Sequence, residues 1–277
     1  MIKISASDVN KLRQMTGAGM MDCKKALEET NGDFEQAVDY LRKKGQKVAT
    51  KRADRDAREG IVIAKTSDDK TFGVAIMLNS ETDFVGKSKD FVDAAHEIAS
   101  IALAKRPASL DELIAAENNG LKVETMVSEL MGKTGEKTTL AHYEYISAAC
   151  VSAYNHHGNR LATLVGLSKT SEALVELGHE ISMQVAAMAP VAIDKDDVDQ
   201  TIIDREIEIG KEQARAEGKA ENMLEKIAIG KLNKFFKDNT LINQDFIKDA
   251  KLTVGQHMAA VDKEVKITGF KRLMLGE

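Results

Sequence analysis

Residues 91–107, FVDAAHEIASIALAKRP, and residues 174–190, LVELGHEISMQVAAMAP, decide the fold, because they are two versions of one helix. Each carries His-Glu-Ile, at His96–Ile98 and His179–Ile181, at the same distance ahead of a proline, Pro107 or Pro190, so that one constant offset aligns both landmarks. Phe91, Val92, Ala95, Ile98, Ala99 and Ala102 share one helical face, as do Leu174, Leu177, Ile181, Val185 and Met188. A strand pattern precedes each helix. Ile61–Ala64 and Phe72–Leu78 read as a hairpin around Ser67–Lys70. Tyr143–Tyr154 and Leu161–Leu167 read as a second. The sequence therefore predicts an α+β fold with antiparallel sheets. Its core is a duplicated hairpin-plus-helix unit, with short helices at Leu110–Glu117 and Val123–Met131 between the copies.

Working outward, residues 194–239 break the repeat. Val198, Ile202, Ile203, Ile207 and Ile209 line one amphipathic helix. Glu217-Gly218 turns the chain, and Leu224, Ile227, Leu232 and Phe235 line another. The pattern is an antiparallel helical hairpin. A short helix near Val254–Ala260 and a strand at Val265–Leu275 follow. That strand is expected to rejoin the second sheet, making the helical hairpin an insertion. Residues 1–45 read as three short helices. Ser5 or Ser7 starts the first, which ends at Met15 before Thr16-Gly17-Ala18-Gly19. Asp22–Glu29 forms the second. Asp33 and Gln36 supply a capping box for the third, which Gly45 stops. Residues 46–60, QKVATKRADRDAREG, have no apolar period and read as a linker that lets this head move. The expected organisation is a three-helix head at 1–45, a linker at 46–60 and a first core half at 61–140. The second core half takes 141–193 and 240–277, with the helical insertion at 194–239.

Comparing the two copies isolates one loop. Four residues separate strand from helix in the second copy, and nine in the first. The extra length holds Ser80-Glu81-Thr82-Asp83-Phe84-Val85-Gly86. An aromatic in a loop that the fold does not require is a candidate contact residue. Phe84 and Val85 either reach outward or fold back into the core, and the pattern alone leaves both open. Met20-Met21 is a second candidate, since two adjacent helical positions cannot both face inward and exposed Met makes an adaptable binding surface.

No catalytic constellation emerges. Met131–Thr138 has a Gly-Lys-Thr flavour, but the first glycine of a phosphate-binding loop would fall at Val127 and no strand precedes it. His96 and His179 are repeat-equivalent and read as structural. His156-His157 sits at a hairpin tip without the further ligands that a metal needs. Cys23 and Cys150 read as inert buried thiols. The expectation is no catalytic residue, no metal and no cofactor.

Composition narrows the class. The 277 residues are 43% hydrophobic and 30% charged, with no Trp and a net charge of −5. Residues 1–60 carry 13 Lys and Arg against 10 Asp and Glu, and the remainder carries 26 against 34. A weakly basic head on an acidic body lacks the basic stripe of a nucleic-acid binder and suits docking on proteins. No apolar run approaches the length that crosses a bilayer, so no membrane helix is expected. The start, Met1-Ile2-Lys3-Ile4-Ser5, lacks a leader's apolar core, which makes the cytoplasm the expected compartment.

Two motifs go further. Residues 12–27, LRQMTGAGMMDCKKAL, resemble the N-terminal signature of the elongation factor Ts family, and Glu81-Thr82-Asp83-Phe84-Val85 resembles its second signature. The order of parts is also similar: ubiquitin-associated-like head, linker, duplicated α+β core and inserted helical hairpin. The resemblance implies a non-enzymatic guanine-nucleotide exchange factor that binds elongation factor Tu, GDP-bound or nucleotide-free, with no direct nucleic acid and no membrane. It further implies that Arg13, Met20 and Met21 contact the partner's nucleotide-binding domain. Asp83 and Phe84, flanked by Thr82 and Val85, would reach towards its magnesium site, with Phe84 as a wedge. His156 or His157 would touch a nearby helix or the phosphate-loop side. Two features depart from the family. Asn159-Arg160-Leu161-Ala162-Thr163 replaces the usual Gly-Arg-hydrophobic-Gly-Val, and the sequence up to Glu277 leaves no room for the C-terminal helix of some members. A role for the helical hairpin in a homodimer stays open. The alternative function is a general protein-binding adaptor that uses only the head.

Overall fold

The computed structural model describes residues 4–52 and 54–277. The expectations for Met1–Lys3 and for Ala53 of the linker lie outside them. The head is α1 (Ala6–Thr16), α2 (Met20–Glu29) and α3 (Phe34–Lys51). Ser5 caps α1 reciprocally with Asp8, the side chain of each taking the other's backbone N–H at 3.1 Å. Gly17, at φ 66°, ends α1 by donating to the Arg13 carbonyl at 2.7 Å; only glycine adopts this backbone cheaply. Leu12, Cys23, Ala26, Leu27 and Ala37 fill the small core. Asp33 caps α3, but Gln36 Nε2 donates to the Asp33 carboxylate, so the pair is a one-way cap and not a box.

Gly45 does not stop α3, which runs on to Lys51. A Cβ on Gly45 would lie 2.7 Å from the Ser128 carbonyl and 3.5 Å from the Gly132 Cα. The glycine lets two helix backbones touch. The head is thereby seated on the core, aided by Arg42 Nε donating to Glu129 at 2.9 Å. The linker is also tied down, through Arg52 and Arg55, as described below.

The first half of the core contains β1 (Glu59–Thr66), β2 (Phe72–Ser80), α4 (Asp83–Gly86), α5 (Lys89–Lys105) and α6 (Leu110–Ala115). A small ribbon, β3 (Glu117–Asn118) and β4 (Leu121–Lys122), leads to α7 (Val123–Thr134) and β5 (Thr139–Ser147). The sheet order is β1-β2-β5, antiparallel throughout. The second half contains β6 (Cys150–Asn155), β7 (Leu161–Leu167) and α8 (Glu172–Met188). Then come α9 (Gln200–Ala216) and α10 (Glu221–Asn239), the ribbon β8 (Asp245–Phe246) and β9 (Asp249–Thr253), α11 (Val254–Val261) and β10 (Ile267–Met274). Its sheet order is β10-β7-β6.

The second hairpin differs from the expected one. Tyr143–Tyr154 is not one strand: it bends at Ala148-Ala149, and its first part, β5, pairs with β2. The first sheet thus extends to Ser147, and a division after residue 140 falls inside a strand. The repeat is correspondingly longer than its signature. In each half a hairpin and a helix are followed, after intervening elements, by a third strand on the far side of the second, β5 or β10. Both helices end on a non-glycine residue in the left-handed region, Arg106 (φ 51°) and Ala189 (φ 42°), immediately before the proline.

The two sheets pack face to face. Val62, Ala64, Ala75, Met77, Ile146, Val151, Ala162 and Leu164 form the layer between them. Helix α5 covers the outer face of the first sheet with Phe91, Ile98 and Ala102. Helix α8 covers the second with Leu177, Ile181 and Val185. Each such large side chain contributes about 1.5–3 kcal/mol by leaving water. The α9–α10 pair leaves and rejoins the core at adjacent backbone: the Val191 N–H donates to Asn239 and the Leu241 N–H to Ala192, both at 2.9 Å. Gly210 lets α9 lie directly on Ala228 of α10.

Candidate interaction surface

The loop isolated by the repeat comparison is built around α4. Thr82 precedes the helix, and its hydroxyl faces the Val85 N–H at 3.4 Å. The same residue is pinned from below: its N–H and its hydroxyl donate to the two carboxylate oxygens of Glu136 at 3.0 and 2.8 Å. Within α4 the two apolar residues part company. Val85 packs against the core of the first half, while Phe84 is 83% exposed. A phenyl ring held in water by a capped, braced helix is a feature that the fold does not need.

Asp83 beside it accepts from Lys87 Nζ at 2.6 Å. That hydrogen bond holds its carboxyl below the ordinary carboxylate range, so the loop presents a phenyl ring next to a carboxylate ion-paired with Lys87.

Glu81, just before, is 12% exposed. Burial alone would raise its pKa. The Lys137 backbone N–H at 2.6 Å, Arg52 Nη1 at 2.6 Å and Arg55 Nη1 at 3.1 Å outweigh it and hold the carboxyl at about 2. The stretch that superficially suggested a phosphate loop has this different job. Gly135 ends α7 at φ 70°, and the turn offers Glu136 and Lys137 to residues 81–82.

The hairpin tip with His156 and His157 comes to the same side of β1. Strand β1 is the free edge of its sheet, and the tip covers part of it. The Asn155 side chain accepts the Ala64 N–H at 2.7 Å and donates to the Ala64 carbonyl at 2.9 Å, and the Val62 N–H donates to Asn159. Arg160 pairs with Glu59 at the start of β1. The Glu59 hydrogen bond, then the charges of Glu59 and Asp83, raise the Arg160 pKa. The tip and α4 are thus electrostatic neighbours anchored on one strand. His156 Nδ1 is within 2.8 Å of the Tyr154 hydroxyl, and both histidines are exposed.

The head presents a separate group. Met20 is 56% exposed and Met21 74%, with Met15 at 59% and Arg13 also exposed on neighbouring turns. Among the described residues no hydrogen bond or ion pair joins this group to α4; the head meets the core through α3 and through the α1–α2 turn, where Gly17 lies against the Lys133 side chain. Phe84, the Met pair and the histidines, the candidates that the sequence singles out, are all exposed. The roles of Glu81 and Glu136 in holding the start of α4, and of Arg160 in anchoring the hairpin tip, are not legible in the sequence. Among the described residues no His, Cys, Asp and Glu group of metal-binding size occurs, and no helix is long and apolar enough to cross a membrane.

A family model described as Elongation factor TS matches residues 81–277, and one described as UBA/TS-N domain matches residues 4–41. The chain is 51% identical over 276 residues to an elongation factor Ts of Christiangramia forsetii, covering all of both chains. It is 50% identical over 274 residues to one of Amoebophilus asiaticus, covering 99% of each. It is 45% identical over 273 residues to one of Porphyromonas gingivalis, covering 98% of each.

Proposed function

This chain belongs to the elongation factor Ts family, and from that premise we propose that it is a guanine-nucleotide exchange factor for elongation factor Tu. It binds the GDP-bound partner, disturbs the magnesium and phosphate contacts, and releases GDP without forming any covalent bond. GTP then displaces the factor. Coupling is reciprocal: a factor that weakens GDP binding is itself weakened by GDP to the same extent.

The observation that carries this reading is Phe84, exposed on a helix that Thr82, Glu136 and Val85 hold in place. A ligand shifts an equilibrium only by its differential affinity for the two states. An aromatic ring that enters a pocket in the nucleotide-poor state alone supplies such a difference. Asp83 brings a carboxylate beside it, which on leaving Lys87 is suited to competing for the surroundings of a cation. Met20, Met21 and Arg13 give a second, adaptable docking surface on the head, and His156 or His157 a third beside α4. A general adaptor acting through the head alone would leave the exposed ring idle. The test is stopped-flow release of a fluorescent GDP from elongation factor Tu at increasing factor concentration. Acceleration that saturates supports exchange; binding without acceleration supports the adaptor.

A further inference from the structure

We propose that Glu81 is a positioning residue that couples the linker to the helix carrying Phe84. This rests on the exchange reading above. Three segments distant in sequence meet at its one carboxylate. From the linker, Arg52 and Arg55 donate to Oε1 and Oε2. From the turn between α7 and β5, the Lys137 backbone N–H donates to Oε1 at 2.6 Å. The third segment is Glu81's own, joining β2 to α4. The triangle is closed by Lys137 Nζ, which donates to the Arg55 carbonyl at 2.8 Å.

The geometry makes this junction a lever. Thr82, the next residue, caps α4, and Phe84 follows two residues later. The head's third helix runs directly into Arg52, so the linker is a continuation of the head. A carboxylate with three charged or backbone donors is costly to leave half-satisfied in a partly buried place. Linker and α4 therefore hold one relative position while Glu81 is ionised and fully bonded. Docking of the head on a partner then sets where the Phe84 ring points, and an aromatic placed about 1 Å wrong loses much of its effect.

Three variants of the full chain test this: Glu81→Gln, which keeps shape and loses charge; Arg52→Gln with Arg55→Gln, on the two more exposed arginine partners; and the triple variant that combines them. Thermal melts establish that each is folded. In the free protein, amide hydrogen exchange over residues 82–88 is expected to speed up about tenfold in either variant, and no further in the triple variant, because both remove one network. With elongation factor Tu, GDP release at saturating factor is expected to slow about five- to tenfold, with affinity for nucleotide-free partner changed by less than about twofold. Unchanged amide protection, or effects that add in the triple variant, overturns the junction. GDP release at the wild-type rate by Glu81→Gln overturns its positioning role alone. A wild-type chain that fails to accelerate release overturns the exchange reading itself, and the amide data still decide whether the junction exists.

Discussion

Gly86, in the helix that carries Phe84, lies directly on Gly60 of β1: a Cβ on Gly86 would sit 2.9 Å from the Gly60 Cα and 3.1 Å from its N and O. Both sides of the contact are backbone, so neither can yield by changing rotamer. Gly60 itself has φ 136° and no room for a Cβ, which would fall 2.1 Å from the Leu78 carbonyl. Gly86→Ala should therefore lift α4 from the sheet. The expected cost is about 1–3 kcal/mol of stability, read by chemical denaturation. Stimulated GDP release should fall with it, and a variant with wild-type stability would show that α4 is not seated in this way.

Phe84→Ala should behave in the opposite manner. The ring is exposed, so stability should stay within about 0.5 kcal/mol of wild type. Stimulated release of labelled GDP should slow by about one to two powers of ten, the equivalent of burying a phenyl ring in one partner state only. Affinity for nucleotide-free partner should fall less, since in the proposed reading head and hairpin tip still dock. Release at the unmodified rate would remove the wedge from the mechanism.

Replacing Met20 and Met21 together by Ser removes exposed apolar surface without touching Leu12, Cys23 or Leu27. Binding to elongation factor Tu, measured by calorimetry, should weaken about tenfold or more. Circular dichroism of the head should not change. Undiminished binding by a folded variant would assign docking elsewhere.

The Glu81 carboxyl gives a pH dependence with a definite sign. Its pKa is depressed from 4.5 to about 2, so its contribution is complete above pH 4.5 and lost as pH falls towards 2. Carbon-detected titration of the side chain should show no protonation between pH 7 and pH 4. A midpoint near 4.5 would mean that Arg52, Arg55 and Lys137 do not hold it.

Shortening the helical insertion tests the architecture. Excising residues 208–230 and closing the ends with a Gly-containing turn leaves the backbone contacts of Val191 and Leu241 in place. The core should keep its melting transition within a few degrees. Global collapse of such a chain would show that the hairpin is needed by the core.

The halves of the core were readable from sequence because prolines and the His-Glu-Ile triplets mark equivalent turns of α5 and α8. The partner of β5 was not. Tyr143 and Tyr145 alternate as any half-buried strand would, and Ala148-Ala149 carries no glycine, proline or asparagine to announce the change of sheet. Gly45 misled for a related reason: a glycine that ends a helix and one that admits a neighbouring helix look alike in one dimension. Phe84 and Val85 could not be told apart until the direction of α4 was known. Glu81 stood in the Glu81–Val85 motif, but its bonding role was not legible, because its donors lie 26, 29 and 56 residues away, and charge pairs at such separations follow no period.

The burial of β2 along its whole length has a consequence for how the chain folds. One side of the strand is sealed by α5 and the other by the opposite sheet, where Gly73 leaves no space between itself and Val151. Synthesised alone, the first copy would keep the α5-covered face of its sheet but hold Val62, Ala64, Ala75 and Met77 in water, so it should be much less stable than the pair. The cooperative folding unit is therefore the pair of copies. The first sheet should gain most of its stability only once β6 and β7 have been made, and heat should melt both halves in one transition.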